Sequence, residues 1–96
     1  MRVLFRPVAE DELAETWDHY ESIDPRLADD FLAKVDAAML RVTANPEAYE
    51  LVHRELRCVP LRRFPHLLVY RIVEDMLIVV ACTHPRQTPR RWRHRR

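Results

Sequence analysis

The residues best equipped for chemistry are concentrated in the last thirteen positions, His84 to Arg96. They comprise six arginines, two histidines, one tryptophan and no acid among them. Arginine presents a planar fork of donors that fits phosphate and carboxylate oxygens, and an indole can stack on a nucleobase or dock into an apolar socket. This tail is one pole of a charge dipole. Residues 1–50 carry five basic side chains against twelve acids, a balance of −7. Residues 51–96 carry eleven arginines against Glu55, Glu74 and Asp75, a balance of +8. The formal net charge of +1 hides that split. Such asymmetry predicts a polyanionic or acidic partner.

Other chemistries are excluded by composition. The chain has no glycine, which removes phosphate cradles of the P-loop and dinucleotide-binding kinds. Cys58 and Cys82 form no C-x-x-C pair, so neither a redox motif nor a zinc site is expected, and both read as core thiols. No metal and no cofactor is expected.

The elements that must position the tail follow from periodicity. Ninety-six residues make one domain, residues 1–96, with a basic tail from about 84 to 96. No apolar run approaches the ~20 residues of a membrane span, and the N-terminal apolar segment is too short for a signal-peptide core. A cytoplasmic protein without membrane contact is expected. Residues 2–6 read as a strand ended by Pro7. A helix begins near Ala9, with Glu10, Asp11 and Glu12 in its first turn and a stripe of Leu13, Trp17 and Tyr20. Asp24 is an N-cap and Pro25 suits a first helical position, so a second helix starts there. Leu27, Phe31, Val35, Ala38, Met39 and Val42 keep helical spacing to about Thr43, and Asn45-Pro46 ends it. Residues 46–54 read as a loop, and Glu55 to Phe64 as an edge strand that tolerates Pro60. His66 to Val73 and Met76 to Thr83 form a hairpin around Glu74-Asp75. The predicted class is α+β, in the order β-α-α-β-β-β: an N-terminal strand, an antiparallel helical hairpin and a three-stranded antiparallel meander.

Alternation makes both faces of that meander apolar. His66, Leu68, Tyr70 and Ile72 oppose Leu67, Val69, Arg71 and Val73. On the last strand Met76, Ile78, Val80 and Cys82 oppose Leu77, Val79 and Ala81. One helical hairpin covers one face. The other requires the tail, self-association or another protein, and another protein is the favoured cover.

Arg57, then Arg63-Phe64-Pro65-His66-Leu67-Leu68-Val69-Tyr70-Arg71, then an apolar strand running into His84-x-Arg86-x-x-Pro89-x-x-Trp92, resembles the RelE/ParE superfamily of type II toxin–antitoxin (plasmid stabilisation) toxins. The resemblance spans nearly the whole chain. It implies a small α+β toxin held inactive by a cognate antitoxin whose C-terminal segment wraps around it, in a hetero-oligomer. It also implies one of two targets: ParE-like members poison DNA gyrase, and RelE-like members cleave mRNA on the ribosome. Gln87 and His66 stand where many relatives have arginine and tyrosine.

Metal-independent RNA cleavage needs a base, an acid and cations for the phosphorane charge. His84 could serve as acid or base, with Arg63, Arg71 or Arg86 stabilising charge and Trp92 stacking on a base. The RelE-like pattern places an arginine about where Leu67 stands and a tyrosine where this chain has Trp92. The acid–base set is therefore incomplete, and the ParE-like reading, a binder rather than an enzyme, is favoured. Arg57, Arg63, Tyr70, Arg71, Arg86 and Trp92 are the expected antitoxin or target contacts. The plain alternatives are a turn histidine at 84, pairing of Arg63 and Arg71 with Glu21, Asp29, Asp30 or Asp36, and a Trp92 that docks back on the domain. An inactive relative or a simple nucleic-acid-binding module is the further alternative, although no recognition helix is basic.

Overall fold

A computed structural model describes residues 1–96. In chain order the elements are β1 (Arg2–Phe5), α1 (Pro7–Ile23), α2 (Pro25–Ala44), β2 (Leu51–His53), β3 (Leu56–Pro60), β4 (Leu67–Val73) and β5 (Met76–Thr83), followed by a 3-10 turn at Pro89–Arg91. The α+β class and the β-α-α start are as predicted. The helix break is a single residue. The Asp24 carboxylate accepts the Arg26 N–H at 2.9 Å, and Pro25 occupies the first helical position. The Arg26 side chain and then its backbone N–H hold the Asp24 carboxyl below its ordinary value. Both choices suit a helix start, because they leave no first-turn donor unsatisfied. In α2, Ala28, Phe31, Val35, Ala38 and Val42 are buried at spacings of three and four. In α1 the buried positions are Ala9 and, unexpectedly, Glu12.

The sheet is larger than the expected meander. Its strand order is β1-β5-β4-β3-β2. β1 runs parallel to β5, pairing Val3 with Leu77 and Leu4 with Ile78, while the other pairs are antiparallel. Without β1, the outer edge of β5 would be a row of unpaired backbone groups. Which edge the first strand joins is a long-range choice that local periodicity does not encode. β2 falls in the segment read as a loop. Its three residues are too few to show alternation, yet Leu51 pairs with Arg57 and closes the far edge.

A bulge corrects the predicted faces. Val69 pairs with Ala81 and Tyr70 with Val79, so Val80 is one residue too many on β5. An extra residue inverts the alternation beyond it. Leu77, Val79 and Cys82 therefore join the core under the helices with Phe31, Val35, Leu68 and Tyr70. Ile78, Val80 and Ala81 face the opposite side with Leu56 and Val69. Strict alternation had exchanged Ala81 and Cys82.

The second face is covered by the chain itself. Trp92, from the tail, seats on Leu56, Val69, Ile78, Val80 and Ala81 and is 6% exposed. The expectation that another protein covers this face gives way to the tail. An indole brings some 150–250 Å² of apolar surface in one side chain, enough for one anchored residue to close a small patch.

Candidate functional site: the arginine-rich tail and its sheet

The tail is held by a chain of contacts that starts at the end of β5. The Gln87 carboxamide oxygen accepts from the Thr83 hydroxyl at 2.9 Å and from the His84 N–H at 3.1 Å. His84 Nδ1 accepts the Arg86 N–H at 3.1 Å, and the His84 carbonyl accepts the Gln87 N–H at 2.9 Å. Thr88 then caps the 3-10 turn by accepting the Arg90 N–H through its side chain. These bonds lead the chain back across the sheet and set Trp92 in its socket.

The decisive anchor is Glu12. Its carboxylate accepts from Arg95 at 2.8 Å, from the Cys82 backbone N–H at 3.2 Å and from Arg91 at 3.5 Å. The Glu12 side chain is 9% exposed and that of Arg95 is 15%. Arg95 also donates to the Val80 carbonyl at 3.0 Å, the residue left unpaired by the bulge. A buried carboxylate requires such partners, because its desolvation is otherwise prohibitive. Glu12 lies on the same helix face as Ala9 and Thr16, three and four residues away. A charged residue on a buried stripe was the available sequence signal, and it was masked by the general preference of acids for a first helical turn.

The remaining residues expected at the site are dispersed. Arg57 donates to the carbonyls of Tyr49 at 2.7 Å and Glu47 at 3.1 Å, and the Tyr70 hydroxyl donates to Pro46 at 2.7 Å. Together they fasten the 46–49 segment to β3 and β4. Burial pushes the Tyr70 phenol up to about 12, against the opposing influence of Arg57. Arg63, at φ 71°, is paired with Asp30 and lies 5.8 Å from the Phe64 ring centre. Its pairing with a helix acid is the plain alternative stated above. Asp30 is held below the ordinary carboxylate value chiefly by its hydrogen bond from Lys34. Arg71 approaches Glu55 only to 3.9 Å, and its buried Nε has no acceptor. Arg86 is exposed and its guanidinium has no protein partner. Tyr70 and Trp92 are buried in the two clusters, so neither side chain is presented at the surface.

His84 meets His66 edge to face, with ring centres 5.4 Å apart, and His66 also packs near Phe31 at 5.7 Å and Tyr20 at 6.1 Å. Burial first, then His84 and His19, hold His66 below its ordinary value. Beside the pair is a cavity of about 70 Å³ lined by Glu15, Thr16, Gln87 and Arg91 among others. Cys82, which also faces it, is raised to about 12 by burial and then by Glu12, so it supplies no thiolate nucleophile near neutral pH. The structure holds no cluster of side chains that could bind a metal ion, and no helix is long and apolar enough to cross a membrane.

The family described as ParE toxin of type II toxin-antitoxin system, parDE, matches residues 3–89. Toxin ParE2 of Mycobacterium tuberculosis, in strains H37Rv and CDC 1551, is 27% identical over 81 residues, which is 83% of this chain and 77% of its own length. Among solved structures, a chain of the chromosomal ParDE TA system from P. aeruginosa superposes with a TM-score of 0.75, covering 88% of this chain and 95% of its own at 18% identity. The fold is thus shared with that toxin–antitoxin structure. The family match ends at Pro89, so Trp92 and Arg95 lie beyond it.

Proposed function

Because the chain belongs to the ParE toxin family of type II toxin–antitoxin systems, we propose that it arrests growth by binding and inhibiting DNA gyrase, and that a cognate antitoxin neutralises it. The observation that carries the binding reading over RNA cleavage is the surroundings of His84. Its ring packs on His66, and its Nδ1 already accepts the Arg86 N–H, so one ring nitrogen is committed to holding the turn. Of the three arginines a cleavage site could use, Arg63 is engaged by Asp30 and Arg71 approaches Glu55, which leaves Arg86 alone. Arg86, by contrast, is exposed with its guanidinium free, as a contact residue should be.

An antitoxin has apolar anchors available away from the covered sheet face. Leu32 and Leu40 stand exposed on α2, and Val3, Leu4 and Val8 are exposed along β1 and the start of α1. An acidic segment would also meet the free arginines of the second half.

The test is induction of the chain alone in a bacterial host, with growth, plasmid supercoiling by gyrase and integrity of ribosome-bound mRNA scored together. The expected result is arrest with lost supercoiling and intact mRNA, relieved by co-expression of a cognate antitoxin. Arg86→Ala should weaken inhibition at least tenfold while its melting temperature stays at the parent value. Cuts in ribosomal mRNA would replace the gyrase reading with RelE-like cleavage.

A further inference from the structure

The tail does more than close a sheet face. Where it returns beside the β2–β3 turn, the two segments enclose an open cleft of about 410 Å³. Arg54 and His53 line one wall, and Arg93, His94 and Arg96 the other. The guanidinium groups of Arg54, Arg93 and Arg96 donate to no protein acceptor, whereas Arg95 beside them is turned inward to Glu12. The one side-chain carboxylate in the lining, Glu55, is held below its ordinary value first by its own backbone N–H and then by Arg71, Arg96 and Arg54.

We propose that this cleft is a phosphate-binding site that takes the backbone of a nucleic acid. Three features of the geometry favour that ligand. The cations are preassembled: Trp92 and the Arg95–Glu12 pair fix the tail on one side. On the other, Arg54 sits at φ 50° in the β2–β3 turn, in the left-handed region that ordinarily takes glycine or asparagine. Like charges gathered in one cleft repel each other, and a polyanion relieves that repulsion while releasing its own counterions. The lining is also wrong for a peptide. Leu56 is its one hydrophobic residue, so an antitoxin segment would find no socket for an apolar anchor, while phosphates need none. No phenylalanine, tyrosine or tryptophan lines the cleft, and its arginines suit phosphate oxygens, so recognition is of the backbone and independent of sequence. The site stands apart from the gyrase reading and requires neither gyrase nor the ribosome.

The experiment is fluorescence anisotropy of the purified full chain with a labelled 20-base-pair DNA duplex and a labelled single-stranded RNA 20-mer, titrated across salt. With three arginines engaged, log K should fall with log[salt] at a slope of about −3 on duplex DNA. Arg54→Ala with Arg93→Ala should reduce that slope by about 2 and weaken binding at least tenfold. Neither side chain has a protein partner, so the melting temperature should be unchanged. Arg62→Ala, an exposed arginine outside the cleft, should bind as the parent does. Stronger binding of one oligonucleotide identifies whether the phosphates come from DNA or RNA. Equal affinity and slope in the double variant would overturn the proposal, as would absence of binding to both oligonucleotides at low salt. So would competition by a glutamate decamer as effective as that by an oligonucleotide of equal charge. No gyrase is present, so failure here leaves the proposed target untouched.

Discussion

Glu12→Gln should detach the tail from the domain. The amide keeps the volume of the side chain and can still accept the Cys82 N–H, so the substitution isolates the loss of charge. What it removes is the ionic partner of Arg95, held at 2.8 Å, and of Arg91, held at 3.5 Å. Breaking a fully buried pair from one side costs about 3–5 kcal/mol, mostly as the penalty on the charge left behind. Arg95 is 15% exposed and retains the Val80 carbonyl, which places the cost nearer 2–3 kcal/mol. For a domain of this size that lowers the melting temperature by roughly 10–20 °C. Arg95→Met should cost less, about 1–2 kcal/mol, because Glu12 then keeps Arg91 and the Cys82 N–H. The two changes together should cost less than their sum by at least ~1 kcal/mol. Chemical denaturation of the four proteins measures the cycle, and hydrogen exchange at Trp92, Arg93 and Arg95 reports whether the tail opens before the domain does. A Glu12→Gln cost under ~0.5 kcal/mol with no coupling to Arg95 would refute the argument that this carboxylate is desolvated and holds the tail.

Two further outcomes follow from the same structure. His66 has a folded pKa below its ordinary 6.5, so between those values the unfolded chain binds more protons. Its contribution is therefore whole above about pH 6.5 and is lost as pH falls through the interval below it. Asp24, Asp30 and Glu55, also lowered, start from 3.8, 3.8 and 4.5 and act only in more acidic solution. Melts at pH 7.5 and 5.5 should show lower stability at 5.5, and His66→Phe, among the rings of Tyr20, Phe31 and His84, should remove most of that difference. In the β4–β5 turn, Glu74 adopts φ 54° without being glycine. Glu74→Asn should raise the unfolding free energy by about 0.5–1 kcal/mol in urea titrations; no gain would mean that the turn is already relaxed.

Much of the frame was legible in local residues. Asp24-Pro25 marks the helix boundary because an N-cap carboxylate and a proline act within one turn. The apolar spacing of α2 and the β-branched runs of β4 and β5 identify their elements for the same reason. The motif from Arg63 to Arg71 and the ending from His84 to Trp92 carried the family resemblance. The site was less legible. Tyr70 lies inside the motif, yet its ring packs the core and its hydroxyl holds a loop. His53 and Arg54, in a stretch that read as plain loop, meet Arg93, His94 and Arg96 across about 40 residues of sequence.

The helices, the hairpin, the absence of glycine-built phosphate loops and the segregation of negative from positive charge are written in the primary structure. Those properties depend on residue type and on spacing within a few positions. Tertiary structure alone decided that β1 joins β5 in parallel, that one extra residue at Val80 exchanges Ala81 and Cys82 between faces, and that the tail covers its own sheet. Each of these depends on groups far apart in the chain finding one another. Glu12 and Arg95, 83 positions apart, are the clearest case. A lone acid in α1 and one arginine among six in the tail have no local mark of partnership, and burial between the sheet and the helix makes them a pair.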